Sequence, residues 1–200
     1  MSFRKEKKFR LSKFDFELLK SNLSLRGMQL LYAKRVINSV YYDTELYDMF
    51  NDSEEGLLPR KKIRFRWYNH ISRVNKEEKI NSFEGRFKTS VLANVPSQSS
   101  LPQTLYDSNY GLMSPSLFVS YIREYFTFES MRITFDSNIQ YSNYRRSRSI
   151  FYKDGECVME VKIGLGTPDD YIESMIPYPT SRFSKYSRGL LISNEALQSC

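Results

Sequence analysis

Cysteine and histidine are nearly missing from this chain, which has two cysteines, Cys157 and Cys200, and one histidine, His70. Two thiols make no disulfide framework, and they suit a reducing compartment. With so few nitrogen and sulfur ligands a zinc site has no support. Cys157 also has no neighbouring histidine to activate it as a nucleophile, so it reads as a strand thiol. His70 follows a strand end and reads as a loop residue. Glycine is sparse too, at eight residues, and the pair Gly164 and Gly166 is too short for a dinucleotide loop. No apolar run approaches the roughly 20 residues that span a bilayer. The first ten residues are too charged for a signal peptide. The expected location is therefore cytoplasmic, with any hold on the inner membrane face supplied by a membrane-protein partner. No repeat and no biased linker divides the chain. Residues 95–102 form the clearest loop, and residues 1–200 read as one domain.

Charge and aromatic side chains are plentiful. Thirty Lys and Arg face 23 Asp and Glu, giving a formal charge of +7. That balance favours anionic partners without choosing among them. Fifteen Tyr and 14 Phe suit strands.

Periodicity predicts strands over residues 2–11, 31–42, 61–69, 77–90, 118–128, 131–141, 148–153 and 157–164. Short helices are expected at 13–22, with Ser12 as N-cap and Phe14, Leu18 and Leu19 on one face, and at 44–51 and 103–110. Two more are expected at 168–175, with Thr167 as N-cap, and at 184–191. This is an α+β, mainly β pattern, an eight-stranded antiparallel barrel with short helices packed outside. Closure would remove exposed strand edges.

The charges alternate with apolar residues along these strands. Arg60, Lys62, Arg64 and Arg66 share one face, while Ile63, Phe65 and Trp67 share the other. At about 3.4 Å per residue, neighbouring cations on that face stand about 7 Å apart. Tyr121, Arg123 and Tyr125 oppose Ile122 and Phe126. Arg132, Thr134 and Asp136 oppose Met131, Ile133 and Phe135. Glu160 and Lys162 oppose Met159, Val161 and Ile163, and the pairs Glu6/Lys8 and Glu77/Lys79 repeat the spacing. A single such strand is an ordinary solvated face. Several together, with arginine prominent, read as the lining of a cationic tunnel, because like charges on adjacent strands repel unless an anion lies among them. Arginine offers forked donors to phosphate oxygens, and carboxylates among phosphates point to Mg²⁺ or Mn²⁺. Phe65 and Trp67 sit away from the cations, which argues against a nucleic-acid face, so no nucleic acid is expected. Arg145, Arg146 and Arg148 read as a solvated turn.

Seven segments, in order, resemble a known family. They are Glu6-Lys-Lys8, Tyr41-Tyr-Asp-Thr44 with residues 59–68 (PRKKIRFRWY), Glu77-x-Lys79 with Lys88, Tyr121-x-Arg123-x-Tyr125, residues 132–136 (RITFD), residues 158–162 (VMEVK) and residues 183–189 (FSKYSRG). Together they are similar to the VTC polyphosphate-polymerase branch of the triphosphate tunnel metalloenzymes, a CYTH-like superfamily, over almost the whole chain. The resemblance implies transfer of the ATP γ-phosphoryl group to a growing polyphosphate chain, assisted by Mn²⁺ or Mg²⁺, with ATP and inorganic polyphosphate or triphosphate as partners. It implies Lys8, Arg64, Arg66 and Lys162 as the catalytic set. Arg60, Lys62, Lys79, Lys88, Tyr121, Arg123, Arg132, Ser184 and Lys185 would hold phosphates. Glu160 would lead the metal ligands, with Glu6 and Glu77 as helpers. Glu78 and Arg86 would replace Glu77 and the cation near it if the strand register slipped by one. Only a few residues precede Glu6, so no SPX-type domain is expected before the barrel, and no membrane segment after it. A tripolyphosphatase, a nucleoside triphosphatase and a non-catalytic polyphosphate binder remain open on the same fold.

Overall fold

The computed structural model describes residues 4–71 and 73–195. It divides into two compact units, residues 1–35, 121–139 and 154–183 in one and residues 36–120, 140–153 and 184–200 in the other. Among the described residues no helix is long and apolar enough to cross a membrane.

The first unit holds strand β1 (Arg4–Leu11), helix α1 (Lys13–Leu25), the start of β2 (Gln29–Asp43), the end of β7 (Gly111–Phe128), most of β8 (Met131–Asn143), β10 (Cys157–Gly164) and helix α3 (Asp169–Met175). Its strand order is β1-β10-β8-β7-β2. The apolar sides of β1, β8 and β10 (Phe9, Ile133, Phe135, Met159, Val161) are buried with Phe16, Leu19 and Leu23 of α1. Ser12 caps α1 by accepting from the Asp15 amide at 3.1 Å. At its far end Gly27 has φ +99 and the Met28 amide returns to the Leu23 carbonyl, a left-handed stop that glycine makes without strain. The buried stripe of α1 differs from the one expected. Phe14 is 75 % exposed and Leu18 43 %, while Leu19 of the expected face is buried, because the 3.6-residue turn aligns Phe16, Leu19 and Leu23 toward the core, where Phe16 meets the Phe135 ring edge to face.

The second unit holds the rest of β2, helix α2 (Asp48–Glu55), β3 (Arg60–Tyr68), β4 (Val74–Ser82), β5 (Gly85–Ala93), β6 (Leu105–Asp107), the start of β7, β9 (Tyr152–Lys153) and helix α4 (Lys185–Glu195). Its order is β7-β2-β3-β4-β5, with β6 on β7. Val40, Tyr42, Ile63, Phe65 and Trp67 are buried with Met49 of α2 and Met113 of β7. The apolar side of β3 is thus the core side, as its alternation predicts. Counted along the two ladders, the described residues form eight long strands, and every pairing described is antiparallel. The mainly β fold class expected from the sequence is the one found.

Several boundaries differ. Residues 77–90 are not one strand but the hairpin β4–β5, whose two-residue loop, Phe83 and Glu84, ends at Gly85 with φ +142. Residues 103–110 form no helix. Asp107 Oδ1 accepts from the Asn109 amide at 3.1 Å, and this Asx turn folds β6 back on β7. Of residues 148–153 only Tyr152–Lys153 is strand. Helix α3 is preceded by Pro168 rather than Thr167 in the capping position. Cys157 is buried, and burial pushes its thiol up to about 11; Cys200 lies outside the described residues.

Candidate functional site

In the first unit, β1 and β10 place charges of opposite sign in register. Glu6 stands opposite Lys162, and Lys8 opposite Glu160. Lys162 Nζ lies 2.8 Å from Glu160 Oε1 and 3.7 Å from Glu6 Oε2, so one ammonium joins the two carboxylates. Lys8 Nζ lies 3.4 Å from Glu6 and donates to the Phe183 carbonyl at 3.0 Å. From β7, Arg123 grips Asp136 of β8 with Nε at 2.6 Å and Nη2 at 2.7 Å. Burial would raise the Glu160 carboxyl, but Arg123, Lys162 and Lys8 together hold it far below the usual carboxylate range. Burial likewise works against the Arg123 charge, and Asp136 more than offsets it. The Arg123 guanidinium lies 5.3 Å from the centre of the buried Tyr121 ring. One strand over, Thr134 is paired with Glu160 and Arg132 with Lys162. Thr134 Oγ1 and Arg132 Nε are buried and have no hydrogen-bond partner.

In the second unit the cations gather about Glu77. Arg64 donates to Glu77 Oε2 from Nε at 2.8 Å and Nη2 at 2.6 Å, and to the Tyr41 hydroxyl at 2.6 Å. Lys88 Nζ reaches Glu77 Oε1 at 2.6 Å, and Arg66 Nη1 lies 3.6 Å from Oε2. Burial alone would raise this carboxyl; Arg64, Arg66 and Lys88 lower it to about 2. The register puts Lys62 opposite Lys79 and Lys79 opposite Lys88 across β3, β4 and β5. Lys62 Nζ donates to Ser184 Oγ at 2.8 Å. Ser184 Oγ also accepts from the Ser187 amide at 3.3 Å, which fixes it at the start of α4 beside Lys185.

The model of the VTC domain family matches residues 3–194. This chain belongs to the VTC domain family. No curated protein sequence matches it. Among solved structures it is similar to the PH1819 protein of Pyrococcus horikoshii OT3, with a TM-score of 0.58 at 15% identity, over 96% of this chain and 99% of that one. It is similar to a proposed adenylate cyclase of Vibrio parahaemolyticus, with a TM-score of 0.53 at 15% identity over 94% and 98%. A proposed adenylyl cyclase of Hippeastrum, reported with a dominant triphosphatase activity, gives a TM-score of 0.54 at 15% identity over 92% and 94%. At such identities the likeness shows the fold.

Within this VTC domain the predicted residues are divided between the two units. Glu6, Lys8, Tyr121, Arg123, Arg132, Glu160 and Lys162 share the first unit, and Arg60, Lys62, Arg64, Arg66, Glu77, Lys79, Lys88, Ser184 and Lys185 the second. The strand register gives Glu77, not Glu78, to Arg64. Arg60 begins β3 and donates to the Leu57 carbonyl at 3.2 Å. His70 is exposed in a bend. The reading of Arg145 as part of a solvated turn is corrected. Its guanidinium donates to the carbonyls of Asp43 (2.8 Å), Thr44 (2.6 Å) and Glu45 (2.9 Å) and lies 4.2 Å from the Tyr47 ring centre. Nothing in the local pattern of residues 144–148 marks that role, since the carbonyls come from a turn a hundred positions earlier.

Proposed function

We propose that this VTC domain binds the triphosphate group of ATP and passes the γ-phosphoryl group to the end of a growing polyphosphate chain, releasing ADP, with a divalent cation. The observation that carries the reading is the in-register row Lys62–Lys79–Lys88, beside Arg64 and Arg66 on the same side of β3. Glu77 balances part of this charge through Lys88, Arg64 and Arg66, and the strip still carries more cations than carboxylates, which suits a run of phosphates laid along it. Forked arginine donors and point-charge lysines are the two kinds of phosphate contact.

A metal fits the first unit. Glu6 and Glu160 offer hard oxygen donors joined by the Lys162 ammonium, with the Thr134 hydroxyl, buried without a hydrogen-bond partner, opposite Glu160. Among the described residues no group of three or more His, Cys, Asp or Glu is poised for a metal. Mg²⁺ and Mn²⁺ can bind through one or two carboxylates and fill the remaining positions with water and phosphate oxygens, so Glu6 and Glu160 are the protein ligands such an ion would take. Such an ion, when bound, neutralises charge on the phosphate oxygens. The chain's own share is positioning. Phosphoryl transfer needs in-line alignment and charge neutralisation more than a protein nucleophile. Lys8 and Lys162 hold oxygens beside the carboxylates, Asp136 fixes the fork of Arg123, and Glu77 holds Arg64 and Lys88 in place rather than serving a metal.

The Hippeastrum protein's triphosphatase activity favours one second reading, transfer to water on the same residues. One experiment separates them. Purified protein is incubated with ATP and Mn²⁺, and the products are resolved by gel and by phosphate assay. Long-chain polyphosphate supports transfer; free phosphate alone means hydrolysis; neither product, with tripolyphosphate still bound, means a binding module.

A further inference from the structure

Beside the carboxylate cluster of the first unit, two tyrosines and two arginines form a group that phosphate chemistry alone does not explain. The Tyr32 ring of β2 and the Tyr125 ring of β7 meet edge to face, 5.9 Å between centres at 78°. Arg35 lies 5.9 Å from the Tyr32 ring centre and 5.7 Å from that of Tyr125, and Arg132 lies 5.8 and 5.9 Å from the same two. Two guanidinium groups, which repel each other, are thus gathered by one pair of rings within cation–π range. Tyr125 is nearly buried, whereas Tyr32 is 48 % exposed, so one ring has its body in contact and a surface left to solvent. Arg132 Nε is buried with no acceptor.

We propose that Tyr32, Tyr125, Arg35 and Arg132 form a subsite for the base of the nucleotide, beside the carboxylate cluster. The inference rests on the triphosphate reading above. A base has a π face that stacks on tyrosine and on guanidinium planes, and ring nitrogens that accept hydrogen bonds; a phosphate has no use for the rings. The position suits the rest of a nucleotide. Arg132 is the cross-strand partner of Lys162, whose ammonium joins Glu160 and Glu6. Tyr125 stands two residues beyond Arg123 on the same side of β7, about 7 Å along the strand. Arg132 therefore lies at the junction, with its backbone register at the phosphate cluster and its guanidinium at the rings.

Calorimetry without divalent cation, so that nothing turns over, tests this with ATP and with inorganic tripolyphosphate. Tyr32→Ala should weaken ATP binding about tenfold, the worth of one lost base stack, and leave tripolyphosphate within twofold. Tyr32→Phe, which keeps the ring, should bind ATP as the wild type does. Equal weakening of both ligands by Tyr32→Ala, or no change in either, overturns the subsite while leaving triphosphate binding intact. A wild-type protein that binds neither ligand ends the triphosphate reading and this inference with it.

Discussion

Arg64 donates twice to a single oxygen of Glu77, from Nε at 2.8 Å and from Nη2 at 2.6 Å, and Lys88 takes the other oxygen. The carboxylate is buried, so its charge survives only because these cations surround it. Its pKa lies at about 2 in the fold, against an ordinary 4.5. Between those values the unfolded chain binds a proton that the folded one does not. The contribution of Glu77 is therefore complete above pH 4.5 and is lost as the pH falls through about 2. Glu77→Gln should flatten this acid limb and cost about 3 kcal/mol at pH 7, since it leaves buried cations without their counter-charge. Urea denaturation across pH 2–7 measures both. Wild-type stability and an unchanged acid limb would show that the Arg64 contact is incidental.

Glu160 is held ionised by Arg123, Lys162 and Lys8 against its own burial, which suits a ligand for a hard cation. Glu160→Gln keeps the shape and removes the charge. Turnover of ATP should fall at least 100-fold, on the order of the ~3 kcal/mol that one lost charge-stabilising group costs. Half-saturation by Mn²⁺ should move to higher concentration, while affinity for polyphosphate changes little. The checks are activity against Mn²⁺ concentration and a metal-free polyphosphate titration. Equal turnover in variant and wild type would remove Glu160 from the metal site.

The cationic side of β3 was legible because alternation is a local property. Once Ile63, Phe65 and Trp67 are committed to the core, Arg64 and Arg66 must point the other way. The same logic marked Glu160 and Lys162 on β10. What local pattern could not give was register. Residues 77–90 read as one strand because the Phe83-Glu84 loop has no Asn-Gly or Asp-Gly signal, so the facing of Lys79 and Lys88 was hidden. Arg145 and Tyr32 were hidden for a different reason. Apart from Arg35 beside Tyr32, their partners lie about a hundred residues away in sequence, and neither sits in a stretch whose periodicity singles it out. The stripe on α1 shows the converse. Phe14 and Leu18 have helical spacing, but the apolar sides of β1, β8 and β10 meet Phe16, Leu19 and Leu23 instead, which no pattern within α1 decides.

Lys88 gives a cleaner probe of phosphate binding than the arginines, because its side chain is 47% exposed. Lys88→Gln should weaken tripolyphosphate about tenfold at low salt, the value of one charge-assisted contact. It should also make the affinity less dependent on ionic strength, as one screened attraction is gone. Titrations at two salt concentrations read both effects. An affinity equal to the wild type at both would remove β5 from the phosphate path.

Arg145 supplies the control that separates folding from binding. Its fork spans the carbonyls of Asp43, Thr44 and Glu45, and its face covers Tyr47, the left-handed residue that leads into α2. On the other side of that turn, the Asp43 carboxylate accepts from the Met49 and Phe50 amides and from the Tyr186 hydroxyl. The turn is thus held through its carbonyls by Arg145 and through its carboxylate by α2 and α4. Arg145→Ala should cost about 2 kcal/mol in urea denaturation, from two or three lost charged hydrogen bonds and the ring contact. Arg145→Lys should recover little of it, because a single ammonium cannot reach three carbonyls in a fork. Tripolyphosphate affinity of the folded variant should stay within twofold of the wild type. A loss of affinity without a loss of stability would mean that Arg145 serves the ligand and not the turn.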